Sequence, residues 1–252
     1  MSSEPANQPQ GTVIDHLIEL RGRLLKIVVV IFTIFFAIVI GGFSNEIYTL
    51  FSAPLTSALP QGSQMIATEV ASPFITPFKL SFILSFFLAM PYVLYQLWGF
   101  VAPGLYKQEK HLAALLLITS SVLFYAGIAF AYFVTFPIIF DFFSMVAPEG
   151  VAVMTDITRY MDFALKLFFA FGVAFEIPVA TVVLIRTGIT TPEALTEKRP
   201  YVILGCFVIG MLMTPPDVFS QALLALPMWL LFEAGVFLGK FISVRDTHQA
   251  RT

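Results

Sequence analysis

Two glutamates, Glu19 and Glu109, are well placed in the sequence to bind a cationic ligand. Glu19 lies in residues 15–24, where apolar residues recur at helical spacing, and Glu109 lies between two lysines that join neighbouring apolar runs. A carboxylate binds a guanidinium group through paired N–H···O bonds, so two such acids would suit a ligand with adjacent arginines. Each acid also has a simpler interpretation. Glu19 can pair with Arg23 one helical turn away, and Glu109 can be a solvated loop carboxylate.

Glu176 is an acid inside an apolar run. It is the fourteenth residue of the 23-residue stretch 163–185. A carboxylate at the centre of a membrane span costs about 2.5–3.5 kcal/mol on insertion scales, so an acid there indicates function. It can instead be protonated or serve as a hydrogen-bonding link between helices. Pro178 leaves a backbone carbonyl without its helical partner nearby, which could help to satisfy the acid.

A third polar group falls in the hairpin of residues 211–221. Thr214, Asp217, Ser220 and Gln221 lie close together around a Pro-Pro pair. Asp217 is a suitable N-cap for the helix that follows, and Ser220 and Gln221 could make hydrogen bonds between helices.

The sequence lacks the motifs that carry most enzyme chemistry. It has no P-loop, no HExxH, no CxxC and no GxSxG with triad partners, and its three histidines are far apart. The single cysteine, Cys206, lies in an apolar run, which is typical of a small buried or lipid-facing residue. We therefore expect no enzymatic activity, no metal and no cofactor.

The amino-acid composition indicates that the chain is a membrane protein. Of 252 residues, 58% are hydrophobic and 12% are charged, and the mean hydropathy is +0.87, whereas soluble domains carry about 25% charged residues. A net charge of −2 argues against a nucleic-acid partner. An all-α integral membrane protein is predicted, because helices satisfy their own backbone groups in lipid.

Six transmembrane helices are predicted, in a single transmembrane domain over residues 1–252. The last two are expected to be short, and the fifth rises only about 21 Å, less than a hydrocarbon core of about 30 Å. The predicted spans are residues 24–43, 80–101, 112–136, 163–185, 201–214 and 218–238.

The basic residues set the orientation. Eleven of the 14 Lys and Arg fall before or at the start of span 1, after span 6 or in the loops on that same side, so both termini are predicted to be cytoplasmic. The loops 44–79 and 137–162 are then extracytoplasmic. Prolines at four positions of the first loop predict short helices and turns packed as a cap.

Several motifs, in order along most of the chain, resemble the TatC family, the multi-span core of the twin-arginine protein translocase. The motifs are His16–Arg21, Ser72–Phe74, the stretch Tyr95–Lys110, Ala129–Phe133, Phe175–Pro178, Lys198–Tyr201 and Thr214–Asp217. The resemblance implies six spans in a glove-like arrangement with a polar groove, in the bacterial cytoplasmic (inner) membrane.

The resemblance also implies a receptor function for signal peptides that carry paired arginines. Glu19 and Glu109 match the acids that recognise the arginine pair, and Arg21 and Phe100 lie in the same region. Glu176 matches the intramembrane glutamate of the family.

Further residues match family positions on the outer side. Met211, Thr214 and Gln221 match a patch where single-span TatA-like and TatB-like partners dock, and Pro54 and Asp217 match positions needed for transport. The family exports folded proteins with the proton-motive force and without nucleotide. We also expect contact with membrane lipids and several copies in the complex.

Two other functions remain open from the residues alone. A secondary transporter or proton-coupled channel would use Glu176 as its proton relay. A membrane-embedded enzyme subunit would bind a haem or another cofactor, for which this sequence offers few ligands.

Overall fold

A computed structural model describes residues 13–58, 66–101, 110–146, 156–214 and 217–249. Within these residues the chain is helical and forms no strand, apart from one isolated bridge between Ile66 and Asp156. The helices are α1 (Val13–Ile40), α2 (Ser44–Ala58), α3 (Ser72–Val101), α4 (Lys110–Phe130), α5 (Phe136–Val146), α6 (Ile157–Ala174), α7 (Ile177–Arg186), α8 (Pro192–Glu197), α9 (Arg199–Met213) and α10 (Val218–Gln249).

Six apolar helical segments correspond to the six predicted spans. Two of these segments each combine two consecutive helices. Five reach the length of a span, residues 14–40, 72–101, 113–143, 157–186 and 218–241. The sixth, α9, has 15 residues and rises about 22 Å. The prediction of an all-α membrane protein with six apolar helical segments is confirmed. The orientation, with both termini in the cytoplasm, stays a prediction from the placement of Lys and Arg.

The last helix corrects one expectation. We predicted two short helices at the C-terminal end, and α9 is short, but α10 has 32 residues. Pro227 lies inside it without ending it, because a proline in a membrane helix removes only one backbone bond that neighbours can replace. No further proline precedes Gln249, and the helix continues past the apolar run into the polar tail.

Two local irregularities shape the long spans. Phe136 donates its N–H to the carbonyl of Ala131, which closes a π-helical turn over Ala131–Thr135 between α4 and α5. Pro137 follows at once and has no N–H to donate, so it disturbs the regular bonding of the preceding turn. The other span changes from α6 to α7 at Phe175 and Glu176, two residues before Pro178.

Close packing depends on glycine at a few crossings. A β-carbon on Gly127 of α4 would lie 2.5 Å from the carbonyl oxygen of Phe171 on α6. A β-carbon on Gly235 of α10 would lie 2.8 Å from the Cα of Pro178 on α7. Small residues let helix backbones approach in a membrane, where packing rather than hydrophobicity drives association. The bundle core between α3, α4 and α6 is rich in buried aromatics, including Phe124, Tyr160 and Phe168.

The extracytoplasmic cap is tied to the bundle by Asp156. Its carboxylate accepts bonds from the N–H and hydroxyl of Thr68, at 3.0 and 2.7 Å, and caps α6 through the N–H groups of Thr158 and Arg159. Those four bonds hold the pKa of Asp156 at about 2, the Thr68 hydroxyl contributing most. The two predicted cap loops are therefore joined to each other. Pro54 falls within α2, but its side chain lies outside the described residues.

Candidate cytoplasmic recognition site

Glu19 binds the guanidinium group of Arg23 within α1. The Nε and Nη2 atoms of Arg23 lie 3.0 and 2.6 Å from one carboxylate oxygen of Glu19. The side chain of Glu19 is 45% exposed and that of Arg23 is 23% exposed. The i,i+4 pair that the sequence allowed is thus present. The carboxylate of Glu19 faces the cytoplasm and already binds the guanidinium group of Arg23.

Arg23 also joins α1 to the cytoplasmic end of α3. Its Nη1 atom donates to the side-chain oxygen of Gln96 at 3.1 Å and to the backbone oxygen of the same residue at 3.3 Å. Its Nη2 atom donates to the carbonyl oxygen of Gly99 at 3.2 Å. A β-carbon on Gly99 would lie 2.8 Å from Nη1. Glycine at this position therefore lets the guanidinium group rest against the α3 backbone.

A polar pocket of about 430 Å³ opens beside this pair. Its lining combines the acid with basic, amide and aromatic side chains of α1 and α3, namely Glu19, Gly22, Arg23, Lys26, Tyr95 and Gln96. A pocket of this size lies in the usual range of about 300–1,000 Å³ for ligand sites. It offers one carboxylate for a cationic ligand, with hydrogen-bonding groups around it.

The other residues predicted for this site are distributed around the pocket. The ring of Phe100 lies 4.9 Å from the ring of His16, centroid to centroid, which closes α1 against the end of α3. Arg21 is exposed on α1. Glu109 lies outside the described residues, so its distance from Glu19 stays a prediction.

Glu176 lies where α6 changes into α7, about 15 Å along the helix from Arg186. Both carboxylate oxygens are buried and neither makes a hydrogen bond of normal geometry. The hydroxyl of Ser120 on α4 lies beside the carboxylate. That hydroxyl also accepts a bond of 2.9 Å from the indole N–H of Trp98 on α3. The Ser120 hydroxyl that lies beside the buried acid is therefore bonded to the helix that carries the recognition pocket.

The outer hairpin brings Thr214 and Gln221 inward and leaves Met211 outside. The amide of Gln221 donates to the carbonyl oxygen of Phe207 at 2.8 Å, and the hydroxyl of Thr214 donates to that of Gly210 at 2.9 Å. Met211 is 54% exposed. Asp217 accepts a bond of 2.6 Å from the N–H of Ser220, as an N-cap does. One of the three predicted docking residues, Gln221, thus links α10 to α9, while Thr214 bonds within the end of α9.

Sequence reasoning missed the partners that hold Glu19 in place. Gln96 was visible as an amide in an apolar run, yet its contact with Arg23 joins residues 73 positions apart. It also missed the pair between Arg199 of α9 and Glu233 of α10, with Nε–Oε1 2.6 Å and Nη2–Oε2 2.7 Å. Among the described residues, no cluster of His, Cys, Asp or Glu could hold a metal ion.

The chain is similar to known translocase proteins along most of its length. The family model for "Sec-independent protein translocase protein (TatC)" matches residues 15–227. The TatC protein of Azotobacter chroococcum mcd 1 is 59% identical over 246 residues, which cover 98% of this chain and 96% of that protein. The TatC protein of Escherichia coli K12 is 59% identical over 91% of this chain and 88% of its own length.

The fold is similar to a solved structure. A crystal structure described as that of the twin-arginine translocase receptor TatC superposes with a TM-score of 0.82 at 35% sequence identity. The match covers 90% of this chain and 99% of the crystallised one.

Proposed function

The chain belongs to the TatC family of protein translocase subunits, and from that premise we propose that it is the signal-peptide receptor of its translocase. As a translocase component of the inner membrane it is not an enzyme. The proposed ligand is a signal peptide with paired arginines, bound at the cytoplasmic face by Glu19 and Glu109, with Arg21 and Phe100 beside them.

The observation that carries this proposal is the pairing of Glu19 with Arg23. The carboxylate binds two nitrogen atoms of one guanidinium group at a solvent-facing pocket. An arginine of a signal peptide presents the same chemical group. It can therefore replace Arg23 at Glu19, while Arg23 keeps its bonds to the carbonyl oxygens of α3.

Exchange of one guanidinium for another explains a preference for arginine over lysine. Arginine offers two nitrogen atoms in a fixed fork, whereas the ammonium group of lysine is a single point donor. A lysine could not reproduce both bonds that Arg23 makes to Glu19. Hydrogen bonds to charged groups contribute about 1.5–3 kcal/mol each, so losing one lowers affinity about tenfold to a hundredfold.

The test compares an Arg-Arg signal peptide with its Lys-Lys version. Binding is measured to the full chain in detergent micelles, as wild type, Glu19→Gln and Glu109→Gln. We expect the wild type to prefer Arg-Arg by about tenfold or more, and each variant to lose most of this preference. Glu193→Gln is the matched control, because Glu193 is an exposed acid in the first turn of α8.

Retention of the preference by Glu19→Gln would contradict the role of Glu19. Equal binding of both peptides by wild type would mean that the chain alone does not distinguish them. The same titration in membranes that contain the single-span partners then decides between a composite receptor and no receptor function.

We further propose that Glu176 functions inside the membrane during transport. Its carboxylate has no hydrogen bond of normal geometry in the resting chain, so it is available to a moving helix or a proton. Export is measured for Glu176→Gln and Glu176→Leu. If ionisation is required, both variants fail; if the side chain only forms hydrogen bonds between helices, the glutamine variant retains export.

Partner recruitment completes the proposal. Met211 is exposed, Gln221 links α10 to α9 behind it, and Thr214 bonds to Gly210 at the end of α9. We propose that TatA-like and TatB-like single-span proteins dock here, that Pro54 and Asp217 support transport from the outer side, and that the proton-motive force drives export. Disulfide cross-linking from Met211→Cys to a cysteine in a partner helix tests the docking surface, with Leu230→Cys, exposed on α10, as control.

A further inference from the structure

A second, apolar groove lies in the cytoplasmic half of the bundle, away from the recognition pocket. It has a volume of about 360 Å³ and lies between α4 and α7, with one residue of α10 at its edge. The α4 wall repeats at one-turn spacing through Leu115, Thr119 and Leu123, and the α7 wall likewise through Pro178, Val182 and Arg186. The two helices therefore line the groove along their length.

The groove has the length of one membrane leaflet. From Arg186 to Pro178 the α7 wall rises about 12 Å, and from Ala113 to Leu123 the α4 wall rises about 15 Å. Half of a hydrocarbon core is about 15 Å. The groove thus begins at the cytoplasmic interface and ends near the middle of the membrane, as an acyl chain of the inner leaflet does.

The mouth of the groove is cationic. Arg186 is exposed in the last turn of α7, and within the described part of the chain it forms neither a hydrogen bond nor an ion pair. None of the described residues that line the groove is acidic. A β-carbon on Gly239 of α10 would meet the side chain of Ile185, so the exposed Lys240 lies near the same cytoplasmic end.

We propose that this groove binds an anionic phospholipid of the cytoplasmic leaflet, with an acyl chain between α4 and α7 and the phosphate on Arg186. Basic pockets between membrane helices on the cytoplasmic side suit anionic head groups. A guanidinium group can hold a phosphate through two parallel hydrogen bonds. The apolar walls and the cation at one end match the two parts of such a lipid, and a partner helix would need an acid at the same level.

The test is native mass spectrometry of the delipidated chain in detergent. It is titrated with phosphatidylglycerol or with phosphatidylcholine of the same acyl chains. We expect the first phosphatidylglycerol to bind about fivefold or more tightly than phosphatidylcholine, since each Lys or Arg near an anionic surface contributes on that scale. Soluble glycerol phosphate should not displace it, because it lacks the acyl chain.

Two kinds of variant distinguish the contribution of the Arg186 charge to lipid binding from the contribution of the apolar groove. Arg186→Gln should bring phosphatidylglycerol down to the affinity of phosphatidylcholine. Arg159→Gln, which removes an exposed arginine at the outer end of α6, should keep the wild-type preference. Val182→Phe fills the groove and should remove the tight first lipid although Arg186 is intact. Thr119→Phe blocks the groove from the other wall, should the first variant not fold.

Four outcomes would overturn the proposal. Equal affinity of wild type for the two lipids excludes head-group selection. A preference that survives Arg186→Gln places the phosphate elsewhere. A preference that survives both groove-filling variants means that the lipid binds a charged surface rather than the groove. A partner helix that excludes phosphatidylglycerol from the assembled complex would show that the groove is a protein-docking site instead.

Discussion

The Nη1 atom of Arg23 lies 2.8 Å from the position that a β-carbon on Gly99 would occupy. This contact places the guanidinium group of α1 directly on the backbone of α3, where it also holds Glu19. Any side chain at Gly99 must displace Arg23. The recognition pocket therefore depends on glycine at position 99. It leaves room for Arg23, although the two residues are 76 positions apart in the sequence.

Gly99→Ala should be destabilising where another helical Gly→Ala is stabilising. Alanine in a helix is favoured over glycine by about 1 kcal/mol, and Gly205→Ala, whose β-carbon meets no atom within 4 Å, should gain it. The Gly99→Ala variant should be destabilised by more than this amount, because Arg23 loses its hydrogen bonds to α3. Thermal unfolding in detergent measures both. In an Arg23→Ala background the two substitutions should become alike; a persistent difference would refute the clash.

The hydroxyl of Thr68 should matter to the stability of the cap. Thr68→Val removes the bond of 2.7 Å to Asp156 at nearly constant shape, while Thr68→Ser keeps it. We expect Thr68→Val to increase proteolysis of the outer loops and Thr68→Ser to leave it near wild type. Equal protease sensitivity of the two variants would show that the bond does not hold the cap.

The same carboxylate predicts a pH dependence with a definite sign. The pKa of Asp156 is lowered from 3.8 to about 2 in the folded chain by its hydrogen bonds. A lowered pKa stabilises the fold at pH values above the ordinary value and loses that contribution as the pH falls through the folded value. Stability of the cap should therefore fall between about pH 4 and pH 2, and this step should shrink in Asp156→Asn. An unchanged profile in that variant would contradict the assignment.

The ion pair between Arg199 and Glu233 should couple α9 to α10. The two side chains are 42% and 25% exposed, so solvent screening reduces the pair to about 1 kcal/mol. Glu233→Gln and Arg199→Gln should each destabilise, and the double variant should cost less than their sum. Simple additivity in thermal unfolding would show that the pair does not hold the helices together.

The short α9 predicts a link between helix length and export. Its 15 residues leave it below the thickness of the hydrocarbon core, which favours a locally thinned bilayer. Insertion of four leucines adds about 6 Å. We expect this insertion to abolish export of a folded cargo while binding of the signal peptide is kept. Unaltered export would exclude membrane thinning at α9 from the mechanism.

The sequence by itself determined the class, the number of helices and the orientation. Hydropathy and the placement of Lys and Arg act along the chain, because each span enters the bilayer by its own composition. The motifs indicated the family, and Asp217 was recognisable as an N-cap from its position alone. The extended α10 was missed because an interfacial helix can continue without an apolar pattern.

The tertiary structure decided which polar side chains meet. Arg23 with Gln96, Asp156 with Thr68, and Arg199 with Glu233 join separate helices or loops, and no local spacing encodes their distances. The groove at Arg186 likewise exists only where α4 and α7 run side by side. The physical reason is that helix packing is set by shape, through glycines such as Gly127 and Gly235, and that shape appears only once the helices are assembled.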